Sequence, residues 1–230
     1  MRSTTPREIS KRSGKNPPRR DPLLLPLALL AALAVAAVFA VYLSMRPPGD
    51  GSVEAGFARD MSTHHAQAVE MAGIVRDKTQ SDEIRTLATD ITLTQQAQIG
   101  QMRGWLDVWG LSPTGSEPAM AWMGHPTEGR MPRMASPEEI AQLREASPEE
   151  VDKLFLRLMI PHHRAAVPMA EAALEKTGQP EVETLARTIA TSQRAEIKVM
   201  DDMLRERDAK PPASGSHTHH GGHEQHGEHG

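Results

Sequence analysis

The 230-residue chain predicts an all-α fold: a four-helix bundle of two tandem helical hairpins, preceded by one transmembrane helix. Three observations predict it. A charge-free run occupies Leu23–Leu43. Residues 53–106 recur at 151–204 without a gap, and 22 of the 54 aligned positions are identical, which marks an internal duplication. Within each copy apolar residues return at helical spacing, interrupted once by capping residues.

Residues 1–21 are basic and rich in Pro, Ser and Arg, and read as a cytoplasmic N-terminus. The transmembrane helix is placed at 22–45. Its apolar core of 21 residues just spans a hydrocarbon layer of ~30 Å at about 1.5 Å per residue. Tyr42 stands at one end as an interfacial aromatic. Residues 1–46 carry eight Lys/Arg against two Asp/Glu, whereas residues 47–230 carry 18 against 28. That asymmetry puts the N-terminus inside and the acidic body outside, giving a single-pass cell-membrane protein with an extracytoplasmic main domain. The alternative is a cleaved signal peptide and a secreted body. A secretory apolar region is usually about 7–15 residues long and ends in a small-residue cleavage site. Here the run is longer and ends VYLSMRPPGD, which favours a retained anchor.

The duplicated domain spans 50–208, with hairpins at 53–109 and 148–208 and a linker at 110–147. Its helices are predicted near 53–77, 82–109, 148–177 and 181–208. Ser52 can cap the first, and Ser81, followed by Asp82 and Glu83, the second. Ser147-Pro148-Glu149-Glu150 reads as a capping box with Pro at the first helical position. Gly178 and Pro180 separate the last two helices. The linker begins rich in Pro and Gly, and Ser136-Pro137-Glu138-Glu139 then starts a short helix near 137–146. Pro161 and Pro168 fall inside the third helix, where each removes a backbone donor; a kink or a later start is expected. Residues 211–230 form a low-complexity, disordered His-rich tail.

Composition narrows the chemistry. There is no Cys among the 230 residues, which excludes disulfides, thiolate metal sites and Cys nucleophiles. The acidic body argues against nucleic acid. Aromatics are only 3% of the chain, while Met numbers 13 and His 11, so the core must be aliphatic and Met-rich, and soft metal ligands must be Met and His. At about 100° per residue, Phe57, Met61, His64, His65, Ala68, Met71 and Ala72 share one arc of roughly 120°. Phe155, Met159, His162, His163, Ala166, Met169 and Ala170 do the same. Leu87, Ile91, Gln98, Met102 and Trp105 form the facing stripe of the second helix; Leu185, Ile189, Glu196, Met200 and Met203 that of the fourth. A lone buried His is more often a packed residue than a ligand, and a Met stripe is more often core. Duplicated pairs in a Cys-free, acidic body tilt the balance to metal. Imidazole suits several metals and thioether selects copper(I), so copper, as Cu(I), is the expected ion. The candidate ligands are Met61, His64, His65, Met71, Met102, Met159, His162, His163, Met169, Glu196 and Met200. His217, His219, His220, His223, His226 and His229 of the tail form an auxiliary site open to other divalent metals. The linker residues Met120, Met123, His125, Met131 and Met134 either carry soft metal or cover the bundle.

The blocks FARDMSTHHAQAVEMA and FLRLMIPHHRAAVPMA, each followed by Q-x-x-[E/Q]-I-x-x-M, resemble the bacterial domain-of-unknown-function family 305, as does the linker segment MPRMASPEEIAQLREA. The resemblance covers about residues 50–208. It implies a ferritin-like four-helix domain and metal handling, since some members are extracytoplasmic copper-binding proteins linked to copper tolerance. It implies no reaction. Gln98 departs from the family's Glu, which Glu196 keeps, so the first half-site would be weaker or altered. The leading expectation is a membrane-anchored, non-enzymatic protein that sequesters copper or hands it to an acceptor protein. The alternatives are a non-metal interaction or sensor domain and a ferritin-like di-metal oxidase. The oxidase lacks its Glu-x-x-His motifs, because no Glu stands three residues before any paired His.

Overall fold

The computed structural model describes residues 24–44 and 46–209. The basic N-terminus and the six tail histidines, His217 to His229, lie outside the described residues. Among those described, every extended element is helical, with one isolated antiparallel bridge between Ala119 and Thr127.

The chain divides into two units, Met1–Pro47 and Pro48–Gly230. In the first, α1 runs from Leu24 to Ser44. Leu27, Val38, Phe39 and Tyr42 are all exposed, and the Arg46 guanidinium lies 5.0 Å from the Tyr42 ring centroid. Among the described residues no helix is long and apolar enough to cross a membrane.

The second unit holds α2 (Val53–Lys78), α3 (Asp82–Val108), α4 (Pro137–Glu145), α5 (Val151–Lys176) and α6 (Pro180–Ala209), with one 3-10 turn at Ala121–Met123. Ser52 accepts from the Ala55 amide at 3.2 Å and Ser81 from the Ile84 amide at 3.4 Å, so α2 and α3 start where their caps require. The full capping box belongs to α4, between Ser136 and Glu139. The anticipated box at Ser147 does not start α5. The Ser147 hydroxyl turns to the Glu150 carboxylate at 2.9 Å, its carbonyl takes the Glu150 and Val151 amides in a tight turn, and the helix begins only at Val151. Pro161 and Pro168 both lie within α5, which runs on through them.

Hairpin α2–α3 meets hairpin α5–α6 chiefly along α2 and α5. Their ends are tied reciprocally. The Thr79 hydroxyl donates to Asp152 at 2.5 Å, and that of Thr177 donates to Glu54 at 2.7 Å. Thr79 and Thr177 are equivalent residues of the two copies, as are Glu54 and Asp152, so each turn caps the other hairpin's first helix. This is the self-complementary contact that a two-fold relation produces.

The linker breaks the symmetry. On α2, Gly56 leaves room for Trp122, whose ring a Cβ would meet at 2.4 Å. One turn on, the Asp60 carboxylate accepts from the Met120 amide at 2.7 Å and from Trp122 Nε1 at 2.8 Å. Gln67 pairs with the Ala135 backbone in both directions, at 2.9 and 2.7 Å, and Glu70 pairs with Arg144 at 2.5 Å. The positions equivalent to Gly56, Asp60, Gln67 and Glu70 in α5 are Leu154, Leu158, Ala165 and Pro168. One outer stripe has thus become the linker's seat and the other has not.

Candidate metal centre

The buried apolar residues form two clusters. One contains Phe57, Met61, Met102, Met169, Leu185 and Ile189, with Met120 and Met131 from the linker. The other contains Met71, Ile91, Phe155, Met159, Met200 and Leu143. The methionines sort by symmetry: Met61 and Met102 of the first copy join Met169 of the second, and their equivalents Met159 and Met200 join Met71. Met123 and Met134 pack on the first cluster, while His125 is exposed.

A buried polar group sits at the middle of the same helices: Ser62, His64 and His65 from α2, Thr92, Gln95 and Gln98 from α3, His162 and His163 from α5, Gln193 from α6. Helical spacing explains it, because the His pair lies between the two Met of each helix. The rings of His64 and His162, equivalent residues, lie 3.7 Å apart between centroids at an interplanar angle of 32°. Within each pair the centroids are 6.4 Å apart in α2 and 6.3 Å in α5, so both halves repeat one geometry.

No protein atom bonds either ring nitrogen of His64, His65 or His162, nor Nδ1 of His163. The Ser62 hydroxyl, both amide atoms of Gln95 and Oε1 of Gln193 also lack partners. Leaving a polar atom buried and unpaired costs about 1–3 kcal/mol. Burial of a Met side chain, by contrast, gains about 1.5–3 kcal/mol by itself. Packing alone accounts for the methionines; it does not account for the imidazoles. Burial holds His64 and His162 well below the ordinary imidazole value, with neighbouring imidazoles adding to it. His65 is pushed down to about 3, first by burial and then by His163, with Gln98 opposing. Neutral imidazole is the form that ligates a metal.

Glu196 reaches the layer from the surface side. Its Oε2 lies 2.7 Å from His163 Nε2, and its side chain is 24% exposed while that of His163 is fully buried. It orients the imidazole, as carboxylates beside metal-binding His do, and leaves Nδ1 free. The neutral counterpart Gln98 lies beside His65. Among the described residues no Asp or Glu is fully buried, and Glu196 is the carboxylate bonded to an imidazole of the layer. Among the described residues no three His, Asp or Glu are grouped so as to hold a metal ion. By type the donors suit a soft ion.

Gln95 and Gln193 were not expected here. They are identical between the copies and continue the faces Leu87–Ile91–Gln98–Met102 and Leu185–Ile189–Glu196–Met200, a signal visible in the spacing. Asp60 gave no such signal, because its equivalent is Leu158.

Residues 54–204 match the family described as Domain of unknown function (DUF305), and residues 159–229 match it again. A 56-residue stretch is 41% identical to uncharacterised protein L153 of Acanthamoeba polyphaga mimivirus, covering 24% of this chain and 37% of that protein. The crystal structure of a putative secreted DUF305 protein from Streptomyces coelicolor is 46% identical, with a TM-score of 0.67 over 70% of this chain and 98% of the other. CopM in its Cu(II)-bound form is 31% identical, with a TM-score of 0.54 over 67% of this chain and 97% of CopM; a Cu(I)-bound form is also known.

Proposed function

We propose a function from a plain premise: the chain belongs to the DUF305 family. Our reading is a copper-binding protein, not an enzyme, that sequesters copper outside the cytoplasm or passes it to an acceptor protein in metal tolerance. The ion is cargo, and Cu(I) is favoured because thioethers flank the imidazoles. One observation carries the reading. Four buried imidazoles, seven of whose ring nitrogens lack a protein partner, lie on the helices between two methionine clusters. The Cu(I)- and Cu(II)-bound forms of CopM support it, since that protein shares the architecture.

The charge-free run Leu23–Leu43 supports anchoring by a single N-terminal helix, with the N-terminus cytoplasmic. A relative described as putatively secreted agrees with an extracytoplasmic body. The tail histidines would gather copper or other divalent ions and feed the bundle.

The test is anaerobic Cu(I) competition on the full chain with its six tail histidines changed to Ser, which isolates the bundle. Replacing His64, His65, His162 and His163 by Ala should weaken Cu(I) binding at least about tenfold, roughly 1.4 kcal/mol. Unchanged affinity would show that the imidazoles are packing.

A further inference from the structure

A buried site must be loaded from outside, and the surface offers unequal approaches. Between α3 and α6 lies a cleft of about 590 Å³, lined by Asp82, Glu83, Asp90 and Glu196 together with Leu87 and Met203. A second cleft, of about 440 Å³, reaches Met120 and Met169 but is walled by Arg133 and Arg164. Arg164 is paired with Asp201 at 2.8 Å, which leaves Arg133 as the second cleft's unbalanced lining charge, so a cation is drawn to the first cleft in preference to the second.

We infer that the α3–α6 cleft is the cation entrance to the imidazole layer, and that the Glu196–His163 pair is its inner threshold. The inference rests on the copper-binding reading above. Two independent observations meet here. The cleft wall is acidic, and Arg207 comes within 3.9 Å of Glu83 at one end. One of its carboxylates, Glu196, bonds a fully buried imidazole whose other nitrogen has no partner. A cation guided by Asp82, Glu83 and Asp90 therefore arrives at a carboxylate that is bonded to the layer, with Met203 on the same wall.

The duplication supplies an internal comparison. Residues equivalent to Asp90, Glu196 and Met203 in the opposite half are Thr188, Gln98 and Trp105. Asp82 becomes Pro180 and Glu83 keeps an acid as Glu181, so the opposite half retains one wall carboxylate of three and lacks the carboxylate threshold and the soft donor. Loading is thus favoured on the α3–α6 side that carries Asp90 and Glu196.

The experiment follows uptake of Ag(I), as a stand-in for Cu(I), by the full chain carrying Ser in place of the six tail histidines. Ions are mixed at low ionic strength, free silver is removed with excess thiosulfate after set times, and bound silver is counted. The triple change Asp82→Asn, Glu83→Gln, Asp90→Asn should slow uptake at least about fivefold while the final amount bound stays unchanged. Added salt should narrow the gap. Asp90→Lys alone, at an exposed mid-helix position, should slow it without disturbing the first turn of α3. Neutralising the exposed acids Glu128, Glu145 and Glu175 should have a much smaller effect, since net charge changes equally. Uptake at the unaltered rate in both cleft variants, with full final binding, would overturn the entrance and leave copper binding standing. No silver bound at equilibrium by the unaltered bundle would overturn both.

Discussion

His65 has no exposed surface and, with His64 and His162, is held neutral by burial. In the unfolded chain these groups protonate near pH 6.5, whereas in the fold His65 resists to about 3. Between those values the unfolded state binds more protons, so stability is complete above about pH 6.5 and falls as pH drops, by up to about 1.4 kcal/mol per unit for each group. Urea midpoints of the metal-free chain should fall between about pH 7 and pH 5, and His65→Gln should flatten that fall. Equal slopes in the two proteins would mean His65 is not buried neutral. Gly56 carries a second residue-scale prediction. A Cβ there meets Trp122 at 2.4 Å, so Gly56→Ala should cost about 1–3 kcal/mol, read from the thermal midpoint, although Ala is the better helix former.

Between elements, the two hairpins are joined by equivalent hydroxyl–carboxylate bonds at opposite ends of α2 and α5. Thr79 is 3% exposed and Thr177 partly exposed. Thr79→Val should therefore cost about 1 kcal/mol or slightly more, and Thr177→Val less, because water reaches the freed groups. The sites are far apart, so the double variant should show the sum in chemical denaturation; a strong departure would mean that one end dictates the other. Met120 shows how the linker is fixed. It adopts φ +64°, a left-handed backbone rare for Met, and its amide is held by Asp60. Such strain persists only where surroundings over-determine it.

At the scale of the whole molecule, the proposed copper site draws its candidate ligands from both hairpins, so on that proposal a bound ion should staple one to the other. Saturation at about 100 times Kd should raise the unfolding free energy by about 2.7 kcal/mol. That gain should disappear when the His pair of either hairpin alone is replaced by Ala; its survival in both variants would place the ion within one hairpin. Topology is tested separately. A reporter fused after Gly230 should be active only outside the cytoplasm, and cytoplasmic activity would overturn the proposed orientation.

Helix content, the hairpin repeat and the family were legible in the chain itself. Periodicity and caps are local, and a duplication is visible wherever identical residues recur. So were the facing stripes, because helical spacing alone puts His64, His65, Met61 and Met71 on one side. How those stripes meet was not legible. Spacing cannot say that His64 stacks on His162, that Met71 joins Met159 and Met200 rather than Met61, or that Glu196 turns to His163, since each depends on the antiparallel docking of α2 on α5. Nor could it show that Gly56 and Asp60 seat the linker, or that Asp82, Glu83 and Asp90 of α3 share a cleft with Glu196 of α6. Those contacts join residues far apart in the chain, and only the folded backbone brings them within bonding distance.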